Sequence, residues 1–310
     1  MINWFPGHMH KARKEMAEVM PQVDVIIEVI DARIPFSSEN PLVPSLRGNK
    51  PLIKLLNKAD LADPQLTQIW IEKMEQVSGV KAIAVSQEKP EQIRALLPLC
   101  ESLVPEKLRS IHPARAMILG IPNVGKSTII NTLAGRTIAK TGNEAGITKS
   151  QQKIKLDNNI LLTDTPGFLW PKLTPPSCGF RLAITGALKE TVFDYGEIAF
   201  FAADYLYQHY PDALKNRYQL DELPDVDLEI IEAIGQKRGC TGKGGRVDLQ
   251  KSSSILINEL RAGLLGKITW ETPDMVETEI AKAKEDDLKK AQEKEEKDRE
   301  RKLRTKKNRR

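Results

Sequence analysis

The segment Gly120-Ile121-Pro122-Asn123-Val124-Gly125-Lys126-Ser127 has the G-x-x-x-x-G-K-[ST] spacing of a phosphate-binding loop. The apolar run Met117 to Leu119 precedes it, and a helical pattern from Ser127 to Leu133 follows. That context suits the chemistry. Glycines let backbone N–H groups wrap phosphate oxygens, and the helix N-terminus adds positive potential. Lys126 is expected to reach the β- and γ-phosphates, the Ser127 hydroxyl to hold Mg²⁺, and Asn123, Val124, Gly125 and Thr128 to complete the cradle.

A second cluster, Asn57-Lys58-Ala59-Asp60, follows another apolar run. The Asp60 carboxylate can accept from both N1–H and the exocyclic amine of guanine. Adenine presents an acceptor at N1 and leaves that carboxylate unpaired, so GTP is predicted as the substrate over ATP. Ser86 and Gln87, after a third apolar run, are candidates to support the base from its other side. Asp164-Thr165-Pro166-Gly167 ends the run Ile160 to Thr163, placing a carboxylate near Mg²⁺, through water, and a glycine N–H near the γ-phosphate. Thr148 is the candidate switch threonine that completes Mg²⁺ coordination.

The elements that position these loops alternate in type. Short β-branched runs at 25–30, 51–56, 80–85, 115–119, 153–156 and 160–163 alternate with helical patterns, the signature of a mostly parallel sheet with helices on both faces. Between the second and third runs, Asp63 can cap a helix with Pro64 at its first position. Leu66, Ile69, Trp70, Met74 and Val77 are its predicted apolar stripe, and Gly79 ends it. Beyond Pro171, Pro175 and Pro176 the patterns are helical: 195–209, 227–237 and 247–265, the last with Leu249, Ile255, Leu256, Leu260 and Leu264 as its apolar face. Residues 277–300 read as a solvated helix with acid-before-base pairs such as Glu285 with Lys289. The expected division is an α/β domain over 1–177, an all-helical domain over 178–275, and a charged helix with a basic tail over 276–310.

Composition narrows the class. Of the 310 residues 40% are hydrophobic and 29% charged, which suits a soluble globular protein with a sizeable core. No run is long and apolar enough for a membrane span, and the N-terminus lacks a secretory pattern. Cys100, Cys178 and Cys240 are far apart and form no zinc or disulfide framework. The net charge is +5, yet the last ten residues, RKLRTKKNRR, hold seven basic side chains and no acidic one. The preceding 300 residues carry 40 basic against 42 acidic side chains, a net of −2. A basic excess confined to a tail points to a polyanionic partner.

The order of the motifs is unusual. The base-reading loop comes first and the phosphate loop later, the reverse of ordinary GTPases, so the chain reads as circularly permuted. With Trp4-Phe5-Pro6-Gly7-His8-Met9 at the start and Asp31-Ala32-Arg33-Ile34-Pro35 after the first run, the sequence resembles the bacterial RbgA/YlqF family of circularly permuted GTPases along essentially its whole length. That resemblance implies a GTPase that assists late maturation of the large 50S ribosomal subunit, binds its rRNA through the helical part and the tail, works in the cytoplasm and is monomeric off the ribosome. It also offers His8 as the group that orients the attacking water, because Phe168 stands where a Ras-like enzyme has glutamine. Packing or an RNA contact is the competing role for His8. Asn123 resembles the asparagine of potassium-stimulated GTPases, with loop geometry as its competing role. The alternatives for the whole chain are a GTP-regulated RNA-binding scaffold and a small-subunit assembly GTPase. The latter type carries an N-terminal oligonucleotide-binding barrel and a zinc segment that are not evident in this sequence.

Overall fold

The computed structural model describes residues 14, 16–108, 112–139, 152–157, 159–165, 167, 169–170, 173–242 and 244–307, with side chains as far as 297. His8, Thr148 and Phe168 lie outside the described residues.

Six strands form one sheet in the order β3-β2-β1-β4-β6-β5: β1 Val25–Asp31, β2 Leu52–Asn57, β3 Val80–Ala84, β4 Ala114–Gly120, β5 Gln152–Lys155 and β6 Ile160–Asp164. All neighbours pair in parallel except β5, which runs antiparallel to β6 at the edge. Every residue of β1 and of β2 is buried, as expected of strands covered on both faces. Chain order runs outward from β1 to β3 on one side, then resumes at β4 on the other. The carboxyl ends of β1 and β4 therefore flank a topological switch point, the usual place for a ligand crevice in an open α/β sheet.

One face of the sheet, with Val25, Ile27, Val29, Ile53, Leu55, Ala116 and Ile118, belongs to the largest core, which continues into the C-terminal helices. The other face contributes Ile26, Leu52, Met117 and Leu119 to a second cluster with Met16 and Met20, and Ile30 and Leu56 to a third with Trp70, Met74 and Val276. The strand connections hold α1 (Val43–Arg47), α2 (Pro64–Glu75), α3 (Pro90–Arg94), α4 (Leu96–Leu103), α5 (Pro105–Leu108) and α6 (Lys126–Ala134). Asp63 caps α2 as its sequence predicts, accepting from the N–H groups of Gln65 and Leu66 at 2.8 and 3.1 Å. Its buried stripe is Thr67, Trp70 and Met74; Ile69 and Val77, expected inside, are exposed. Trp70 instead turns its Nε1–H to the carbonyl of Glu271, 3.0 Å away.

The rest is helical: α7 Ser177–Ile184, α8 Tyr195–His209, α9 Pro211–Tyr218, α10 Asp227–Lys237, α11 Leu249–Arg261 and α12 Pro273–Lys307. The helix expected over 247–265 is shorter at both ends. Asp248 caps it, accepting from Lys251 N–H at 3.0 Å, and the chain leaves the helix through Gly263 at φ +71°, which puts Leu264 in solvent. Between α11 and α12 the chain returns to the sheet. Ile268 N–H donates to Leu61 O at 3.0 Å, and Trp270 N–H to Arg33 O at 2.7 Å. Glu271, fully buried, accepts from the backbone N–H of Phe36 and from both the N–H and hydroxyl of Ser37. Burial pushes its carboxyl upward, opposed by Arg181 and Ser37. Nothing in the local pattern announced this strap.

Candidate functional site: a nucleotide crevice at the switch point

The site is built from turns at strand ends. Parallel register places Asp31 beside Asn57 and Ile118 beside Asp164, so the ends of β1, β2 and β6 converge on the loop that leaves β4. Gly120 must be glycine at the start of that loop, since a Cβ there would lie 2.7 Å from Val29 O. Asn123 follows at φ +58° and Gly125 at φ +95°, after which α6 begins at Lys126.

The base-reading loop lies against the phosphate loop although Asn57 and Val124 are 67 residues apart in sequence. Asn57 is buried and its Nδ2 donates to Val124 O at 2.7 Å. Among the described residues its Oδ1 is buried with no partner, an acceptor left for a ligand at the crevice. Lys58 takes left-handed backbone at φ +60°, and its Nζ donates to Asn123 O at 2.9 Å and to Asp31 Oδ2 at 3.0 Å. Burial lowers the Lys58 ammonium, and Asp31 opposes that. Burial would raise the Asp31 carboxyl, but Arg33 and Lys58 outweigh it and hold the group well below the usual carboxylate range. Asp60 is half-buried in the turn Ala59–Leu61, and Ala59 N–H donates to Val85 O at 3.1 Å.

Ser86 and Gln87 arrive from β3 to close the same side. The Ser86 hydroxyl accepts from Glu88 N–H at 3.1 Å, and Gln92 Oε1 accepts from Ser86 N–H at 3.0 Å. A Cβ on Gly125 would meet Asn57 Nδ2 at 2.3 Å and Gln87 Nε2 at 2.4 Å. The Asn57 loop, the Gln87 turn and the phosphate loop thus meet at one glycine.

On the phosphate side, Lys126 is buried and ion-paired with Asp164, and also donates to Thr165 O. Burial lowers its ammonium and Asp164 opposes the shift. Gly167 packs over the loop, its Cβ position 3.3 Å from Pro122 Cα. Ser127 and Thr128 are half-buried in the first turn of α6. Ser127 and Asp164 supply hard oxygen donors, and among the described residues there is no cluster of three or more His, Cys, Asp or Glu. A partial donor set of this kind fits Mg²⁺, which keeps waters and phosphate oxygens in its shell. Asn123, for which the sequence offers potassium binding or loop geometry, directs its Nδ2 to Gly186 O at 2.9 Å. The three cysteines are free and buried, and among the described residues no helix is long and apolar enough to cross a membrane.

A mostly parallel sheet with a P-loop at its switch point and the Asn57–Asp60 turn encoded ahead of that loop has the architecture of a circularly permuted P-loop GTPase. Similarity to known proteins agrees. A family profile described as "50S ribosome-binding GTPase" matches residues 115–204, the portion from β4 into α8. Ribosome biogenesis GTPase A of Bacillus cereus is 44% identical over 281 residues, covering 88% of this chain and 95% of that protein. The Thermotoga maritima protein of the same name is 30% identical, covering 88% and 95%. A crystal structure of GNP-bound YlqF from T. maritima superposes with a TM-score of 0.60 at 28% identity, covering 86% of this chain and 99% of that one. The chain belongs to the ribosome biogenesis GTPase A family, and it is a GTP-hydrolysing enzyme.

Proposed function

We propose that this GTPase acts in late maturation of the large 50S ribosomal subunit, binding its rRNA through the helical region and the basic tail and coupling that binding to GTP hydrolysis. The observation that carries the reading is the convergence of Asn57 and Gln87 on Gly125, which joins a guanine-reading turn to a phosphate loop in one crevice. The large subunit as partner is supported by the words of the matching family profile, "50S ribosome-binding GTPase". The proposed setting is the cytoplasm, as a monomer off the ribosome, and the proposed division of the chain is 1–177, 178–275 and 276–310.

In this reading Asn57, Lys58, Ala59 and Asp60, with Ser86 and Gln87, hold the base. Asn123 to Thr128 and Gly167 hold the phosphates. Ser127, Thr148 and Asp164 would hold Mg²⁺, which neutralises charge on the phosphate oxygens when bound. Lys126 and the backbone N–H groups of the loop stabilise the negative charge that spreads over the transferred phosphoryl group, the main source of catalysis in this reaction class. His8 is the proposed water-orienting group, a neutral imidazole suited to accept a proton near pH 7. Asn123 is the proposed potassium contact that the family resemblance implies, and its bond to Gly186 O also ties the loop to the helical region.

GTP turnover measured with isolated large subunits, small subunits and neither tests the proposal. Stimulation by large subunits alone is expected. Equal rates in all three would favour a scaffold with incidental hydrolysis, and stimulation by small subunits would reassign the partner.

A further inference from the structure

The last turn of α7 is gripped from two sides. Its carbonyls at 183 and 184 accept from Arg261 of α11, Nη2 to Ala183 O at 2.9 Å and Nε to Ile184 O at 3.1 Å. The next two carbonyls accept from the GTPase body, Arg33 Nη2 to Thr185 O at 3.3 Å and Asn123 Nδ2 to Gly186 O at 2.9 Å. Cationic and amide donors suit the carbonyl end of a helix, where backbone acceptors lack intrahelical partners.

Arg33 is buried and reaches this turn from a fixed base. Asp31 accepts from it three times, from the backbone N–H at 3.1 Å, Nε at 3.0 Å and Nη2 at 2.8 Å. The same Asp31 accepts from Lys58, which braces the phosphate loop at Asn123 O. Arg33 also offers its carbonyl to Trp270 of the returning strap. A single ionic cluster therefore touches the base-reading loop, the phosphate loop and two places in the helical region.

We propose that Asp31 and Arg33 are positioning residues for guanine nucleotide that also couple its binding to the helical region: Asp31 sets Lys58 against the phosphate loop, and Arg33, together with Asn123, grips the carbonyl end of α7. The inference rests on the reading of 57–60 and 120–127 as the nucleotide site. Nucleotide that orders the phosphate loop tightens both grips on 185 and 186. By reciprocity, whatever stabilises the helical region in this seating raises nucleotide affinity by the same factor. This route runs beside the direct chain connection from Gly167 into α7 and does not depend on it.

The test uses the full-length chain and two readouts. Amide hydrogen exchange at Thr185, Gly186 and Ala187, which donate within the turn to Arg181, Ala183 and Leu182, is followed without nucleotide, with GDP and with a non-hydrolysable GTP analogue. Protection is expected to rise on nucleotide binding in the wild type. In Arg33→Gln that rise should vanish and the Kd of a fluorescent GTP analogue should increase roughly 5- to 150-fold, the usual span of a coupling between sites. Arg33→Lys, which keeps the charge beside Asp31, should recover part of the affinity. A merely structural arginine would loosen the turn equally with and without nucleotide. Wild-type affinity in a folded Arg33→Gln, or wild-type exchange at 185–187 that ignores nucleotide, overturns the proposal while leaving the GTP site intact. If Arg33→Gln does not fold, the wild-type exchange result decides. A wild-type chain that binds no GTP overturns both readings.

Discussion

Lys126 at the first position of α6 and Asp164 at the end of β6 form a buried ion pair, and the lysine also donates to the carbonyl of Thr165. The pair joins the residue expected to meet the phosphates to one expected to serve the metal. Each charge compensates the other's desolvation. Lys126→Met leaves Asp164 buried without its cation, which is expected to cost about 3–5 kcal/mol of stability. It also removes a charge aimed at the transferring phosphoryl group, so single-turnover GTP hydrolysis should fall by roughly 100-fold or more. Urea unfolding and hydrolysis on the same preparation measure both. Wild-type turnover in the variant would take Lys126 out of the phosphate site.

Asp60 is half-buried in the turn after β2, held there by Ala59 N–H on Val85 O. Asp60→Asn replaces one acceptor with an amide donor, which faces a donor on guanine. The expected loss of GTP affinity is roughly 10- to 100-fold, the value of one charge-assisted hydrogen bond. Xanthine, with a carbonyl in place of the exocyclic amine, should lose less and can gain. Titration with fluorescent analogues of both nucleotides checks the pattern, and equal loss for the two would place Asp60 away from the base.

How much of this was legible in the sequence depends on how local the determinants are. The strands were readable because β-branched runs between turn residues are a local signal, and the helices Tyr195–His209 and Asp227–Lys237 coincide with their predicted bounds. The loops were readable because phosphate and guanine chemistry fixes residue types at fixed spacing. Arg33 and Glu271 were not. Their partners lie 152 residues away at Thr185 and 234 away at Ser37, and no periodicity records a contact of that range. Leu264 and Ile69 failed for a related reason: helical spacing marks an apolar face, but only the neighbouring elements decide where that face ends.

Glu28, in the middle of β1, gives the fold a pH dependence. It is fully buried opposite Lys54, accepts from Asn40 N–H at 2.7 Å through Oε1, and among the described residues has no partner for Oε2. Lys54 is ion-paired with Glu39. Burial first, then Glu39, pushes the Glu28 carboxyl up to about 8 from 4.5, while Lys54 and Asn40 pull the other way. The folded state therefore holds a proton that the unfolded chain releases above pH 4.5. Stability contributed by this group is complete below that value and declines as pH rises through about 8. Between about pH 5 and pH 9 the decline should be on the order of 4 kcal/mol. Glu28→Gln keeps an acceptor for Asn40 and removes the titration, so its unfolding free energy should be much flatter over the same interval. A wild-type profile already flat across that interval would mean that Glu28 stays ionised.

α12 runs from Pro273 to Lys307, about 50 Å at the helical rise, so it includes residues 301–307 of the basic end. Its first turns are anchored. Val276 enters the core beside Trp70 and Met74, Lys73 pairs with Glu277, and Arg181 of α7 pairs with Glu279 at 2.7 Å. Beyond them the described side chains are mostly exposed, with Glu285 and Lys289 paired at 2.8 Å as their spacing predicts. The final ten residues hold seven basic side chains, against a net charge of −2 for the preceding 300. Removing 301–310 should weaken association with large subunits and lower its salt dependence, by at most about 0.9 in the logarithmic slope for each rRNA phosphate that the tail neutralises. Basal GTP hydrolysis should be unchanged, because the truncation leaves the anchoring of α12 on α2 and α7 in place. Sedimentation with large subunits across a salt series measures the slope. Superimposable curves for full-length and truncated chains would show that the basic end does not touch rRNA, leaving the helical region to bind alone.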